Sequence, residues 1–165
     1  MKNSEPRPRL RRHNDGASRD ARIDPYQPRT KIAGPALCPE CGAVYRRGLW
    51  RWETAPAGSA EHACPACRRT REAFPAGVVT LSGEFLREHH DEILNLVHNE
   101  EKVRKSRHPL QRILATREQE GHVEVTTTDI HIARRLGDAL LDAFQGELHV
   151  SYSPGDYFVR VSWSR

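Results

Sequence analysis

Two Cys-x-x-Cys pairs constrain this chain more than any other feature: CPEC supplies Cys38 and Cys41, CPAC supplies Cys64 and Cys67, and 22 residues separate the pairs. No cysteine is left over. A two-residue gap lets both sulfurs of a pair reach one ion at ~2.3 Å, and two such pairs close a tetrahedral shell. Disulfides would need an exported chain, yet no apolar block follows the N-terminal charges. A thioredoxin-like redox pair needs one Cys-x-x-Cys in a βαβ unit, which two matched pairs do not resemble. A rubredoxin-type iron site uses the same ligand set, but the surrounding arginines are foreign to an electron-transfer surface. Zinc is the expected ion. Four cysteines leave no coordination position open, so the zinc is expected to be structural. Four thiolates and one Zn²⁺ carry a net double negative charge, which Arg46, Arg47, Arg68 and Arg69 are placed to offset.

Between the pairs runs VYRRGLWRW, Val44 to Trp52, which holds two of the chain's three tryptophans. It follows the first pair where zinc ribbons place the first strand of a hairpin. Strict alternation puts Trp50 and Trp52 on one face and Tyr45, Arg47 and Arg51 on the other, with Gly48 able to bulge the strand. A module this short has little core of its own, so at least one tryptophan is expected to pack near the metal. Exposed aromatics and arginines can also stack on bases and pair with phosphates. Arg46, Arg47, Trp50 and Arg51 are therefore candidate nucleic-acid contacts. Arg68, Arg69 and Arg71, which follow the second pair in CPACRRTRE, are candidates of the same kind; a solvated charge run is the bland alternative.

Charge supports an anionic partner for the N-terminal half. Residues 1–36 hold nine Lys/Arg against four Asp/Glu, residues 37–83 six against four, and residues 84–165 eleven against fourteen. Residues 1–36 carry no apolar periodicity and five prolines, Pro6, Pro8, Pro25, Pro28 and Pro35. They are expected to be a disordered basic tail. Within it, DPYQP holds the chain's first aromatic and is placed to order against the module that follows.

The remainder reads as an α+β fold. Residues 37–77 form the four-cysteine zinc-binding module, ribbon- or treble-clef-like. Residues 78–165 form a helix–hairpin–helix–hairpin domain with an antiparallel sheet. VVTLSG is a short strand or connector, with Ser82 positioned to cap one helix over EFLREHHDEILNLVHNEEKVRKS. That helix is acidic at its start and basic at its end, as its dipole favours. Val123, Val125 and Thr127 alternate in a hairpin strand, Thr128 or Asp129 caps a second helix, and Ser153-Pro154-Gly155-Asp156 turns the last hairpin.

No HExxH, P-loop, GxSxG or GxGxxG is present. His89, His90 and His98 lack ligand spacing. The hydroxyls of TTTD either contact phosphates or belong to a capped strand-to-helix junction.

In order, CPECG, YRRGLW, CPAC with PAGVVTLSG, and VEVTTTDIHIARRLGDALLDAFQGEL resemble an uncharacterised bacterial zinc-ribbon family over about residues 22–165. That family is itself similar to the archaeal and eukaryotic export adaptor of the large ribosomal subunit. The resemblance implies zinc at Cys38, Cys41, Cys64 and Cys67, and contact with the large subunit. The adaptor has further knuckles and export signals that this chain lacks, so an export role is excluded in a bacterium. The expectation is a non-enzymatic, cytoplasmic, zinc-stabilised RNA-binding protein that associates with the ribosome or its assembly intermediates. It needs no membrane and no small-molecule substrate. A zinc-ribbon DNA-binding regulator and a protein-interaction adaptor are the rivals; the acidic face of EFLREHHDEILNL disfavours the first.

Overall fold

The computed structural model describes residues 12–15, 24–28 and 32–165. The expectation of a disordered tail over residues 1–36 falls mostly on residues outside those described; within it, Arg12–Asp15 forms a strand.

Two sheets organise the chain. The smaller contains β2 (Ala36–Leu37), β3 (Val44–Arg46), β4 (Leu49–Arg51) and β5 (Ala60–Glu61), in the order β4-β3-β2-β5. Helix α1 (Pro65–Glu72) completes the cysteine module. The larger sheet contains β1 (Arg12–Asp15), β6 (Gly77–Ser82), β7 (Ile113–Gln119), β8 (His122–Thr127), β9 (Glu147–Tyr152) and β10 (Val159–Ser164). Its order is β1-β9-β10-β6-β8-β7.

This sheet is mixed, which corrects the expectation of an antiparallel one. β10 runs parallel to β6, and β1 runs parallel to β9, while the other pairings are antiparallel. Helix α4 (Ile130–Phe144) is the reason for the first. It carries the chain from the end of β8 back across the sheet, so β9 starts in the direction of β8. The hairpin then turns β10 into the direction of β6, beside which it inserts. VVTLSG thus lies in a central strand, with Val79 and Leu81 in the core.

The expected single helix after Ser82 is two, α2 (Glu84–Glu88) and α3 (His90–Arg107), broken at His89, whose ring stacks on Phe85 at 4.1 Å. Ser82 does not cap. It pairs with Ser164 in the sheet, and Gly83 stands at the N-cap instead, with Phe85 N donating to Arg165 O at 2.8 Å. The second helix is capped as the sequence suggests: Asp129 Oδ1 accepts from His131 N (2.7 Å) and Ile132 N (3.2 Å). Helix α4 lies close on the sheet because Gly137 has no side chain; a Cβ there would sit 2.6 Å from Val161 Cγ1. Around it the main core gathers Leu81, Ile93, Val125, Leu136, Leu140, Leu148 and Trp163 among others. Trp163 satisfies its buried indole by donating Nε1–H to Gln145 O at 2.8 Å. Among the described residues no helix is long and apolar enough to cross a membrane.

Candidate metal centre and basic surface

The four cysteines converge. One ligand atom from each lies within 4.8 Å of all the others, with Cys38, Cys64 and Cys67 buried and Cys41 half-buried. Local folding places each pair. Around the first, Gly42 N donates to Cys38 O (2.9 Å) and Cys38 N to Ala43 O (2.8 Å), a tight knuckle that needs the positive φ of Gly42. The second pair opens α1. Cys64 is its N-cap, accepting from Cys67 N at 3.4 Å through sulfur, and Pro65 occupies the first turn, where its missing N–H is not needed. Cys64 N also donates to Cys38 Sγ at 3.3 Å, tying one pair to the other.

This donor set fits a soft four-coordinate ion. A tetrahedral site with metal–sulfur bonds of ~2.3 Å needs sulfurs about 3.8 Å apart, and Cys41 Sγ and Cys64 Sγ are 3.8 Å apart. The hydrogen bond with Cys64 holds the Cys41 thiol down to about 4. That bond, seconded by burial, pushes Cys64 up, while burial pushes Cys67 up to about 11. Such a cluster gains from a cation that lets every sulfur ionise.

Part of the compensating charge comes from a residue that the sequence reading passed over. Arg112, in the PLQRIL stretch after α3, donates Nη1–H to Cys67 Sγ (3.4 Å) and Nη2–H to Cys64 Sγ (3.7 Å). Its Nε–H is held by Pro109 O at 2.7 Å. Thr128 Oγ1 fixes the same segment, accepting from Arg112 N (3.0 Å) and donating to Leu110 O (2.7 Å). Thr127 Oγ1 donates to Asp129 O at 2.9 Å. The two buried hydroxyls of TTTD are thus engaged at a strand-to-helix junction. Arg112 carries no local sequence signal, because its partners lie 45 and 48 residues away.

VYRRGLWRW is a complete hairpin rather than one strand. Arg47 and Gly48 both take positive φ (53° and 85°), which fits a two-residue turn, and Tyr45 pairs with Trp50 across it. The alternation expected for Trp50 and Trp52 does not hold, because β4 ends at Arg51 and Trp52 lies outside the strand. Trp50 is buried in the module core, its ring 5.4 Å from that of Tyr45 and stacked on His62. Trp52 stays 39% exposed. As a candidate nucleic-acid contact, Trp50 is corrected: it packs inward.

The candidate arginines separate in the same way. Arg46, Arg47 and Arg51 are exposed and line one small recess together with Glu53. Arg46 reaches Glu53 at 3.8 Å, while Arg47 and Arg51 have no ion pair among the described residues. On α1, Arg71 pairs with Glu40 (2.5 Å) and Arg68 is half-buried, its guanidinium 5.0 Å from the Tyr26 ring centroid.

Arg69 is corrected too. It is wholly buried, donating Nη2–H to Asp24 Oδ1 (2.6 Å) and Nη1–H to Phe74 O (3.0 Å). Tyr26 covers it at 4.2 Å, and Tyr157 from the large sheet's last loop lies 5.7 Å away. A charge so enclosed cannot meet a phosphate. It anchors the Asp24–Pro28 segment on the module, where Tyr26 Oη also donates to Glu72 Oε2 at 2.5 Å.

Comparisons of the chain with protein-family models, with curated proteins and with solved structures found no match in any of the three.

Proposed function

We propose that the protein is a zinc-stabilised, non-enzymatic RNA-binding protein that works in the cytoplasm on the large ribosomal subunit or one of its assembly intermediates. One observation carries the RNA reading: Arg46, Arg47 and Arg51 surround a recess whose lining includes a single carboxylate, on a hairpin whose Tyr45 and Trp50 pack into the cysteine cluster's core. Arginine forks suit phosphate oxygens, and a rigid hairpin presents them without a large ordering cost. The knuckle, hairpin and helix N-terminus around four sulfurs favour zinc in a treble-clef arrangement. The ribosomal assignment rests on the motif resemblance alone.

Sucrose-gradient sedimentation of lysate at low and high salt tests the reading. The protein is expected in ribosomal fractions at low salt, and at the top of the gradient after ribonuclease or at high salt, because phosphate contacts release counterions. Arg47→Glu with Arg51→Glu should weaken sedimentation and leave the zinc content at one per chain. Protein that stays at the top at low salt overturns the ribosomal reading and moves the DNA-binding and adaptor readings ahead.

A further inference from the structure

Trp52 joins two basic regions that are far apart in sequence. Its indole Nε1–H donates to Lys105 O at 2.6 Å, satisfying a carbonyl in the last turn of α3 that has no intrahelical partner. The Arg112 guanidinium backs the ring at 6.0 Å from its centroid. The result is an aromatic surface that is held at one edge, backed by a cation and still 39% exposed.

Lys102, Lys105 and Arg107 are exposed and have no ion pair among the described residues. The nearest acids on the helix are engaged elsewhere: Glu100 pairs with Arg135 (3.1 Å), and Glu101 accepts from Ile113 N (2.7 Å). Arg51 precedes Trp52 directly and belongs to the arginine recess. A helix dipole favours basic residues in a last turn, but it does not require an exposed tryptophan pinned among them.

We propose that Trp52 and the last turns of α3 form a contact surface for single-stranded RNA, continuous with the arginine hairpin, in which Trp52 stacks on an unpaired base while Lys102, Lys105 and Arg107 hold flanking phosphates. The inference rests on the RNA-binding reading and adds its substrate class. Bases inside a duplex are stacked on both faces, so apart from its two ends a duplex offers this surface phosphates alone.

Fluorescence anisotropy of the full-length zinc-loaded protein tests it, with a labelled 12-nucleotide single-stranded RNA and a blunt RNA duplex of equal length as probes. Trp52→Ala should weaken single-strand binding about 10-fold, whereas Trp52→Phe, which keeps a ring but loses the donor, should stay within about 3-fold. K102Q/K105Q/R107Q should lower the slope of log affinity against log salt by about two for a single strand. Zinc content and circular dichroism equal to wild type establish that each variant is folded; Trp52→Leu, which fills the site without an aromatic face and should weaken binding as Trp52→Ala does, serves if Trp52→Ala is not. Single-strand binding weakened in Arg47→Gln/Arg51→Gln but unchanged in the Trp52 and α3 variants overturns this inference and leaves the RNA reading standing. Equal or tighter binding of the duplex overturns the single-strand assignment. No binding of either RNA by wild type at low salt overturns both.

Discussion

The cysteine module and the large-sheet domain solve the same problem by different means. Among the described residues, the sheet domain buries a continuous core of seventeen, nearly all Val, Leu and Ile, closed by Trp163. The module's buried cluster has eight, of which three are cysteines and three are alanines; only Tyr45 and Trp50 supply bulk. A core so small cannot offset the entropy of ordering its loops, so the module depends on its sulfur cluster where the domain depends on apolar burial. The difference teaches where each will fail. Removing a metal strikes one region, removing a side chain strikes the other, and the Arg112 junction shows whether they fail together.

Cys64→Ser is expected to have the largest effect. Binding of zinc contributes about 10–16 kcal/mol to small modules whose ligands are disordered without it. The variant should lose metal and the signals of Trp50, while amide exchange in α4 and β6 stays slow. Collapse of both regions at once would break the comparison and make the chain one cooperative unit.

Trp163→Ala comes next. It empties a fully buried site and leaves Gln145 O without its donor, so about 3–5 kcal/mol should be lost. Denaturant unfolding followed by circular dichroism should show the loss, with metal affinity at 25 °C unchanged. A parallel fall in metal affinity would show that the domain supports the module more than its contacts suggest.

Arg112→Gln should have the smallest effect and probe the junction itself. It removes the cation that meets Cys64 and Cys67, and the shorter glutamine amide reaches only to about where Nε stands. Metal affinity measured by competition with a chelator should fall about 10–100-fold, as for other groups that orient metal ligands. Sheet-domain stability should hardly move. Unchanged metal affinity would mean that the guanidinium docks the two regions without tuning the sulfurs.

The sequence disclosed what short-range spacing controls. Two paired cysteines, the Asp129 cap and the apolar stripe of Leu136 and Leu140 each depend on neighbours a few residues away, and each stands as the spacing suggests. The α+β class follows from the same kind of local pattern. Tertiary structure decided the rest, because the deciding partners are distant. Strand direction in the large sheet depended on where the hairpin after α4 could insert, which made the sheet mixed. Arg69 and Trp50 stood among the candidate nucleic-acid contacts, yet Asp24, 45 residues away, and Tyr45 across a turn of positive φ drew them inside. Trp52 took the exposed place because a carbonyl at the end of α3, 53 residues on, was free to hold its indole. Spacing can tell which residues are able to meet an ion or start a helix. Which cation is buried and which aromatic stays in water is settled only by long-range packing, where a buried charge needs a partner that no local pattern supplies.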